Sequence, residues 1–181
     1  MQVAERIRAL KERATKEELV ILVWGPGDPG PGGSPEIKRY WEKRQQIRHV
    51  LSRTFTSSQV FFSEDTSLRK HTRGFDDTLP EELVHAGIAD CILVLDVSRG
   101  AHVEVDHFSG YPVIANKMRI LIPKRYVGGT GLVSAVHDRL KVHGFTDHQF
   151  DKCTLASKIC VDLVLAVAYE KLMRSAGLPM F

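Results

Sequence analysis

The stretch from residue 89 to residue 108 reads Ala89-Asp90-Cys91-Ile92-Leu93-Val94-Leu95-Asp96-Val97-Ser98-Arg99-Gly100-Ala101-His102-Val103-Glu104-Val105-Asp106-His107-Phe108. Its first part, Cys91–Leu95, is short and continuously apolar, as expected of a strand buried on both faces of a parallel α/β sheet. A buried helical segment has the same apolar character, so periodicity leaves that alternative open. We interpret this run as the central strand of the fold.

Polar residues and a glycine follow this strand at Asp96, Ser98 and Gly100, and a carboxylate comes four residues later at Glu104. We expect Glu104 in the first turn of a helix. Ligands of open α/β sheets bind outside the carboxyl ends of the strands, so this segment is where chemistry is expected. Glu104 is therefore the first catalytic candidate. The alternative is that Glu104 only complements the helix dipole, which stabilises a helix by about a few tenths of a kcal/mol.

The overall composition is that of a single globular domain. The chain has 181 residues, of which 43% are hydrophobic, and this is enough for one sizeable core. Its 25 basic and 22 acidic residues give a net charge of +3, well short of the basic excess of a dedicated nucleic-acid binder. The cysteines, Cys91, Cys153 and Cys160, are odd in number and lack CxxC spacing. They argue against a disulfide framework or a zinc site, and we expect all three to pack as small apolar side chains in a reducing compartment.

The N-terminal residues show no signal peptide, because residues 1–16 alternate charged and apolar side chains. No apolar run reaches membrane-spanning length. We therefore expect a cytoplasmic protein without a membrane partner.

Hydrophobic periodicity predicts the elements around the central strand. An amphipathic helix is predicted at residues 2–15, and a broadly apolar helix at residues 154–174 is expected either under the sheet or in a subunit contact. The predicted core, residues 18–145, contains strands at 19–24, 60–62 and 118–123, helices at 35–54, 80–88 and 132–142, and loops at 25–33, 66–78 and 128–131. No domain boundary is evident, so residues 1–181 are expected to form one α/β domain.

The loop after the first strand is rich in glycine and proline and reads Gly25-Pro26-Gly27-Asp28-Pro29-Gly30-Pro31-Gly32-Gly33. Glycine places no Cβ between backbone and ligand, so this loop can approach a phosphate or a sugar closely. It fits neither the Walker A pattern nor GxGxxG, and a surface loop or lid is an equal alternative. Ser34 and Pro35 then predict the N-cap and first residue of the next helix.

Polar residues also follow the second strand, at Ser63, Glu64 and Asp65, and the loop at 66–78 is expected to order on ligand binding. The helix at 35–54 carries basic residues that either steer an anionic ligand or form a solvated face: Lys38, Arg39, Lys43, Arg44, Arg48 and Arg53.

The order of elements and short motifs over residues 18–123 resembles the nucleoside 2-deoxyribosyltransferase-like family and the related TIR-like NAD-cleaving domains. The resemblance is carried by Gly25-Pro26 after the first strand, by Ile88-Ala89-Asp90 before the central strand, and by Ser98-x-Gly100-x-x-x-Glu104 after it. It implies a flavodoxin-like parallel sheet and assigns to Glu104 the role of acting on the anomeric carbon of a nucleoside or nucleotide. Phosphoribohydrolases that release cytokinin-type bases share a similar glycine-then-glutamate arrangement.

The chain departs from the deoxyribosyltransferase pattern at two positions. Ser98 stands where an aspartate is usual, and Leu22 stands where a tyrosine is frequent. These departures favour hydrolysis or NAD-type cleavage over transfer between nucleobases.

A single carboxylate suits this chemistry, because breaking a ribosyl C–N bond develops oxocarbenium character that a carboxylate stabilises or captures. We expect Asp96 to orient sugar hydroxyls or to raise the pKa of Glu104, Ser98 to bind the sugar, and Trp24 to stack on the base.

His102 and His107 lie near Glu104 in sequence and are candidates to protonate a leaving base, with surface or supporting roles as the alternative. The run His102-Val103-Glu104-Val105-Asp106-His107 matches no zinc-ligand spacing, so no metal is expected.

The sequence thus predicts a flavodoxin-like sandwich with a four- to five-stranded parallel sheet and an enzyme, hydrolase or transferase, that cleaves the N-glycosidic bond of a nucleoside, a nucleotide or NAD. Glu104 and Asp96 are the catalytic candidates, and the substrate-binding candidates are Trp24, Gly25, Pro26, Gly27, Ser63, Asp65, Ser98, Gly100, His102 and His107. No cofactor is expected other than NAD as substrate, and the apolar C-terminal helix allows a homo-oligomer. The alternative is a non-catalytic nucleotide sensor or adaptor of the same fold, and nucleic-acid binding through the basic helix is a weaker third.

Overall fold

The computed structural model describes residues 3–69, 78–127 and 140–177, and its strands all run parallel in one sheet. The strands are β1 (Val20–Trp24), β2 (Gln59–Phe61), β3 (Cys91–Leu95), β4 (Met118–Pro123) and β5 (Lys141–Phe145). The helices are α1 (Val3–Ala14), α2 (Pro35–Thr54), α3 (Thr66–Arg69), α4 (Thr78–Ile88), α5 (Arg99–Ser109), α6 (Pro112–Ala115), α7 (Asp147–Asp151) and α8 (Val161–Ser175), with a π-helical turn (Leu155–Cys160) before α8.

The strand order is β2-β1-β3-β4-β5, the order of flavodoxin-like sheets. The predicted fold class and the central position of β3 are therefore confirmed. The chain leaves β1 toward β2 on one side, whereas β3 pairs with β1 on the other. This reversal places a crevice between β1 and β3 at their carboxyl ends, where ligands of such sheets bind.

Alternating side chains of the central strands build two apolar layers. Ile21, Val23, Leu93 and Leu95 face the layer that includes buried residues of α2 and α8. Leu22, Trp24, Ile92 and Val94 face the layer that includes buried residues of α5 and α6. Because both faces of the sheet are covered, its central strands are continuously apolar.

The C-terminal helix lies against the sheet, as the first of its two predicted alternatives states. The π-helical turn and α8 bury Leu155, Cys160, Val164 and Ala168 in the same layer as β1 and β3. Cys91 is also fully buried, but Cys153 is exposed, so the prediction that all three cysteines pack in the core is wrong for Cys153.

Two predicted segments differ from the structure. Residues 141 and 142, predicted as the end of a helix, begin the edge strand β5, in which only Phe145 is buried. Such a strand lacks the apolar run on which the strand prediction depended. Residues 66–69, predicted as loop, form the short helix α3. The rest of the predicted loop up to residue 77, the loop at 128–131 and residues 132–139 of the predicted helix lie outside the described residues.

Among the described residues, no helix is long and apolar enough to cross a membrane.

Leu93 offers a test of the two-layer core, because it is fully buried at the centre of β3. We expect Leu93→Ala to lower the free energy of unfolding by about 2–5 kcal/mol, through lost burial and the cavity left behind. Urea unfolding measures this change. Val103 on α5 is 60% exposed, so Val103→Ala should stay within about 0.5 kcal/mol of wild type. Equal effects of the two changes would contradict the central placement of β3.

Candidate functional site

A pocket of about 390 Å³ opens at the carboxyl edge of the sheet, at the reversal between β1 and β3. It is lined by Gly25, Gly27, Asp28, Arg44, Ser63, Glu64, Glu81, Glu82 and Glu104. The loops after β1 and β2 contribute to it together with α2, α4 and α5. The structure therefore brings Gly25, Gly27, Ser63 and Glu104, all predicted site residues, to one cavity.

Gly25 is required by the close approach of β1 and β3 at this edge. Its φ is +151°, a conformation that other residues rarely adopt, and a Cβ there would stand 3.1 Å from the Cβ of Leu95. A side chain at this position would strain the backbone and would require Leu95 to shift by a few tenths of an ångström. The adjacent Pro26 is buried, and its carbonyl accepts a hydrogen bond from Arg44 Nη1 at 3.3 Å.

Arg44 is buried at the pocket. The interpretation of its helix as a solvated face is therefore wrong for this residue. Its side chain is 1% exposed, and Nε donates to the carbonyl of Val23 at 3.0 Å. Nη1 and Nη2 donate to the two carboxylate oxygens of Glu64 at 2.7 and 2.8 Å. Its guanidinium carbon also lies 4.2 Å from the ring centroid of Phe62. Lys43 is likewise buried, so neither residue steers ligands from solvent.

Glu64 is the carboxylate that this guanidinium satisfies. Partial burial alone would raise the pKa of Glu64, but the hydrogen bonds and charge of Arg44 outweigh that effect and lower the pKa. Glu64 therefore stays ionised and is held in a fixed orientation.

Glu104 lies in the second turn of α5, which corrects its predicted place in the first turn. Ser98 is the N-cap, its hydroxyl accepting a hydrogen bond from the Ala101 N–H at 3.3 Å, so that the helix begins at Arg99 with no acid in its first turn. The helix dipole acts mainly within the first turn. The alternative that Glu104 only stabilises the helix dipole therefore does not explain its position.

Glu104 has an electrostatic environment unlike that of Glu64. Its Oε2 atom is buried and has no hydrogen-bond partner. Burial, followed by the negative charge of Glu82, raises the pKa of Glu104 to about 7, with smaller contributions from Glu64 and Asp96 and an opposing one from Arg44. The direction predicted for Asp96 is thus confirmed, although Glu82 contributes more.

Glu82, on α4, is the second carboxylate whose charge the site leaves uncompensated. Burial and then the charge of Glu81 raise the pKa of Glu82, while His107 opposes this shift. No hydrogen bond or ion pair joins Glu82 to another described residue. Glu82 and Glu104 therefore titrate as a coupled pair. When one of them binds a proton, its negative charge is removed and the other ionises more readily.

The remaining predicted residues are not among those that line the pocket. Asp96 Oδ2 lies 3.3 Å from Nδ1 of His102. Asp65 accepts hydrogen bonds from the Phe62 N–H and from Arg48. A Cβ at Gly100 would meet no atom within 4 Å, so no close contact demands a glycine there.

Trp24 and His107 belong to an aromatic cluster behind the pocket. The Trp24 ring is 1% exposed and lies 4.9 Å from the Phe108 centroid, so it offers no open face on which a base can stack. The His107 ring packs edge-on against Phe108 at 5.0 Å, and its buried Nε2 has no hydrogen-bond partner. His107 lies close enough to Glu82 to oppose the rise of its pKa.

Arg44, Glu64, Glu81, Glu82 and Asp28 line the pocket but were not among the predicted site residues. A signal for Arg44 exists in the sequence, because Tyr40, Arg44, Ile47 and Leu51 recur at intervals of four, three and four residues and are all buried. Glu82 similarly precedes His85 and Ala89 at helical spacing. Glu64 belongs to the polar run after the second strand that the sequence analysis notes, whereas no comparable pattern distinguishes Asp28.

A second crevice, of about 660 Å³, lies near the start of β3 and β4 and between α4, α6 and α8. Two of its cations are engaged, since Lys117 donates to the carbonyl of Gly87 at 2.7 Å and Lys171 to Asp90 at 3.2 Å. Within the described ranges, no group of three or more His, Cys, Asp or Glu side chains is arranged to hold a metal ion. The expected absence of a metal stays a prediction.

No family model matches this chain, and a search of curated proteins also returns no match. The resemblance to N-glycosidic-bond-cleaving proteins therefore stays a hypothesis, which the geometry of the pocket must support.

The raised pKa of Glu104 predicts a stability cost that depends on pH. Below its ordinary pKa of 4.5, Glu104 is protonated in both folded and unfolded states and has no effect. As pH rises toward about 7, the unfolded state ionises first, so the free energy of unfolding falls. We expect Glu104→Gln to be more stable than wild type at pH 8 by up to about 3 kcal/mol, and equal to it at pH 4.

Urea unfolding across this pH range measures the difference. Asp106 is exposed on the same helix, so Asp106→Asn provides a matched change of charge that should show no such trend. A Glu104→Gln stability difference independent of pH would refute the raised pKa.

Proposed function

We propose that this pocket cleaves the N-glycosidic bond of a nucleoside, a nucleotide or NAD, with Glu104 as the nucleophile or oxocarbenium stabiliser at the anomeric carbon. The observation that supports this most is the Oε2 atom of Glu104, buried at the pocket and without a hydrogen-bond partner. A carboxylate used only for structure would be paired, as Glu64 is with Arg44.

The buried position of Glu104 favours the transition state over the ground state. As the C–N bond breaks, positive charge develops at the anomeric carbon, and a carboxylate in a partly desolvated pocket attracts that charge more strongly than it would in water. The ionised form of Glu104 is costly in the empty pocket, and the developing cation offsets this cost. Such differential stabilisation accelerates the chemical step.

The surrounding residues provide a rigid frame for this carboxylate. Arg44 joins α2 to the carboxyl ends of β1 and β2 through Val23 and Glu64. Gly25 lets the loop after β1 lie against β3. Fixed donors and acceptors of this kind reduce the reorganisation needed during reaction.

A non-catalytic sensor of the same fold is the second candidate. It is favoured by Ser98 and Asp96, the proposed sugar ligands, because the Ser98 oxygen caps α5 and Asp96 lies beside His102. In this alternative, the pocket binds a nucleoside-like signal without breaking it.

Base release distinguishes the two candidates. We expect the purified wild-type protein to release a base from at least one member of a panel of nucleosides, nucleotides and NAD, as measured by chromatography. Glu104→Gln keeps the size of the side chain and removes its charge, so it should lose activity by at least about a hundredfold. Because the ionised carboxylate is the active form, kcat/KM should rise with pH through about 7.

Asp106→Asn is the control and should retain wild-type activity, since Asp106 is exposed on α5. If no panel member is cleaved, yet one of them raises the melting temperature of both wild type and Glu104→Gln, the enzyme proposal fails and the sensor is favoured.

A further inference from the structure

The second crevice, near the start of β3 and β4, contains a buried arginine. Arg119 is the second residue of β4, is 4% exposed and lines this crevice of about 660 Å³. A buried charge is tolerated in a protein when an opposite charge or hydrogen-bond acceptors satisfy it. The contacts of Arg119 therefore indicate whether the crevice is complete without a ligand.

The guanidinium of Arg119 uses one of its three nitrogens. Nη1 donates to the carbonyl of Asn116 at 2.9 Å and to the carbonyl of Met118 at 3.0 Å. Nε and Nη2 donate to no described residue, and no ion pair joins Arg119 to a described carboxylate. Both nitrogens keep a solvent-accessible surface, since no atom of Arg119 is both buried and without a partner. The described residues thus satisfy only part of this cation.

The two unused nitrogens form one edge of the planar guanidinium. On that edge the N–H bond of Nε and one N–H bond of Nη2 point in parallel. Such a fork matches two oxygens of a carboxylate or a phosphate, and a bidentate pair of this kind is stronger than hydrogen bonds between neutral groups. The part of Arg119 that remains available therefore has the geometry of an oxyanion site.

The acidic side chains that line the crevice have other partners. Lys171 Nζ lies 3.2 Å from both carboxylate oxygens of Asp90. Glu170 lies 3.9 Å from Arg174, one turn further along α8. Neither acid forms an ion pair with Arg119, so neither occupies the fork. An anion that enters the crevice can therefore reach Arg119 without displacing a described carboxylate.

The crevice also has room for more than an inorganic ion. Its volume lies within the range of about 300–1,000 Å³ that is usual for small-molecule sites. Ile88 and Val113 line it and are 51% and 70% exposed, so they offer an apolar surface. Lys117 lines the same crevice and adds a second positive charge. These features suit a ligand that has an apolar body and an anionic group.

We propose that this crevice binds a small organic anion, whose carboxylate or phosphate group accepts hydrogen bonds from Nε and Nη2 of Arg119. The apolar part of the ligand lies against Ile88 and Val113. Nη1 keeps its contacts with the two carbonyls, so the arginine side chain binds the anion in its present position. This site lies at the opposite end of the strands from Glu104 and does not depend on the proposed function.

Calorimetry with three small aromatic probes tests the charge and the type of the ligand. Benzoate carries a carboxylate, phenyl phosphate carries a phosphate, and benzamide has the size of benzoate without its charge. At equal ionic strength, we expect at least one of the two anions to bind at least about tenfold more tightly than benzamide. The anion that binds more tightly identifies the oxyanion that the crevice prefers.

The variant Arg119→Lys assigns this binding to the arginine fork. Lysine keeps the positive charge but has no planar fork, so affinity for the anion should fall by at least about tenfold while affinity for benzamide stays the same. Arg125→Lys is the matched control, because the Arg125 side chain is 53% exposed and does not line this crevice. Glu104→Gln should also bind the anion as wild type does, so a failure to release a base leaves this inference untouched.

The variant Val113→Glu leaves the buried arginine unchanged. Val113 is 70% exposed on α6, so the fold should tolerate the substitution, and the new carboxylate should repel the anion and weaken its binding by about threefold or more. A nitrogen-15 spectrum gives a direct readout. The Nε–H signal of Arg119, identified by its loss in Arg119→Lys, should shift when the anion is added and stay in place when benzamide is added.

Several outcomes would overturn this inference. Equal affinity for the anions and benzamide, anion binding that survives Arg119→Lys, or an Arg119 Nε–H signal that does not move would each do so. Anion affinity unchanged in Val113→Glu would contradict the placement of the ligand. The inference also fails if neither anion binds, and a lower molecular mass of Arg119→Lys in solution would then show that a carboxylate of a second copy of this chain occupies the fork.

Discussion

The buried guanidinium of Arg44 is the interaction on which the rest of the site depends. It donates to the carbonyl of Val23 at the end of β1, to Pro26 in the following loop and to both oxygens of Glu64 beyond β2. A charged group that is 1% exposed is tolerated only when its donors are satisfied. Arg44 thus fixes where two strands end, and thereby one side of the pocket.

Two carboxyl groups that line the pocket, Glu64 and Glu104, lie in different electrostatic environments. Glu64 is paired and has a lowered pKa, whereas Glu104 is unpaired, partly buried and has a pKa raised to about 7. Among the described residues that line the cavity, Arg44 is the cation, and its hydrogen bonds go to Glu64 and not to Glu104. A carboxylate left without a hydrogen-bond partner in a partly buried position lowers the stability of the fold, and such arrangements are frequent at functional sites.

Much of the architecture followed from local patterns. The apolar run Cys91–Leu95 became the central strand, and Ser34 and Pro35 started α2 as N-cap and first residue. The edge strand β5 was not predicted. Only one of its residues is buried, and a strand is recognised in a sequence mainly by its apolar, buried positions. For the same reason neither predicted alternative for Arg44, ligand steering or a solvated face, included its burial, because composition does not distinguish a buried arginine from an exposed one.

By itself, the sequence determined the parallel α/β class, the position of Glu104 just beyond the central strand and the N-cap of α2 at Ser34. These features depend on short-range periodicity and on the steric limits of single residues. Only the tertiary structure decided that Glu82 and Glu104 share a pocket, that Arg44 forms an ion pair with Glu64, and that the buried Trp24 ring packs against Phe108. Electrostatic coupling depends on the distance between two groups and on their burial. For residues about 20 or more positions apart in the chain, the sequence gives neither quantity.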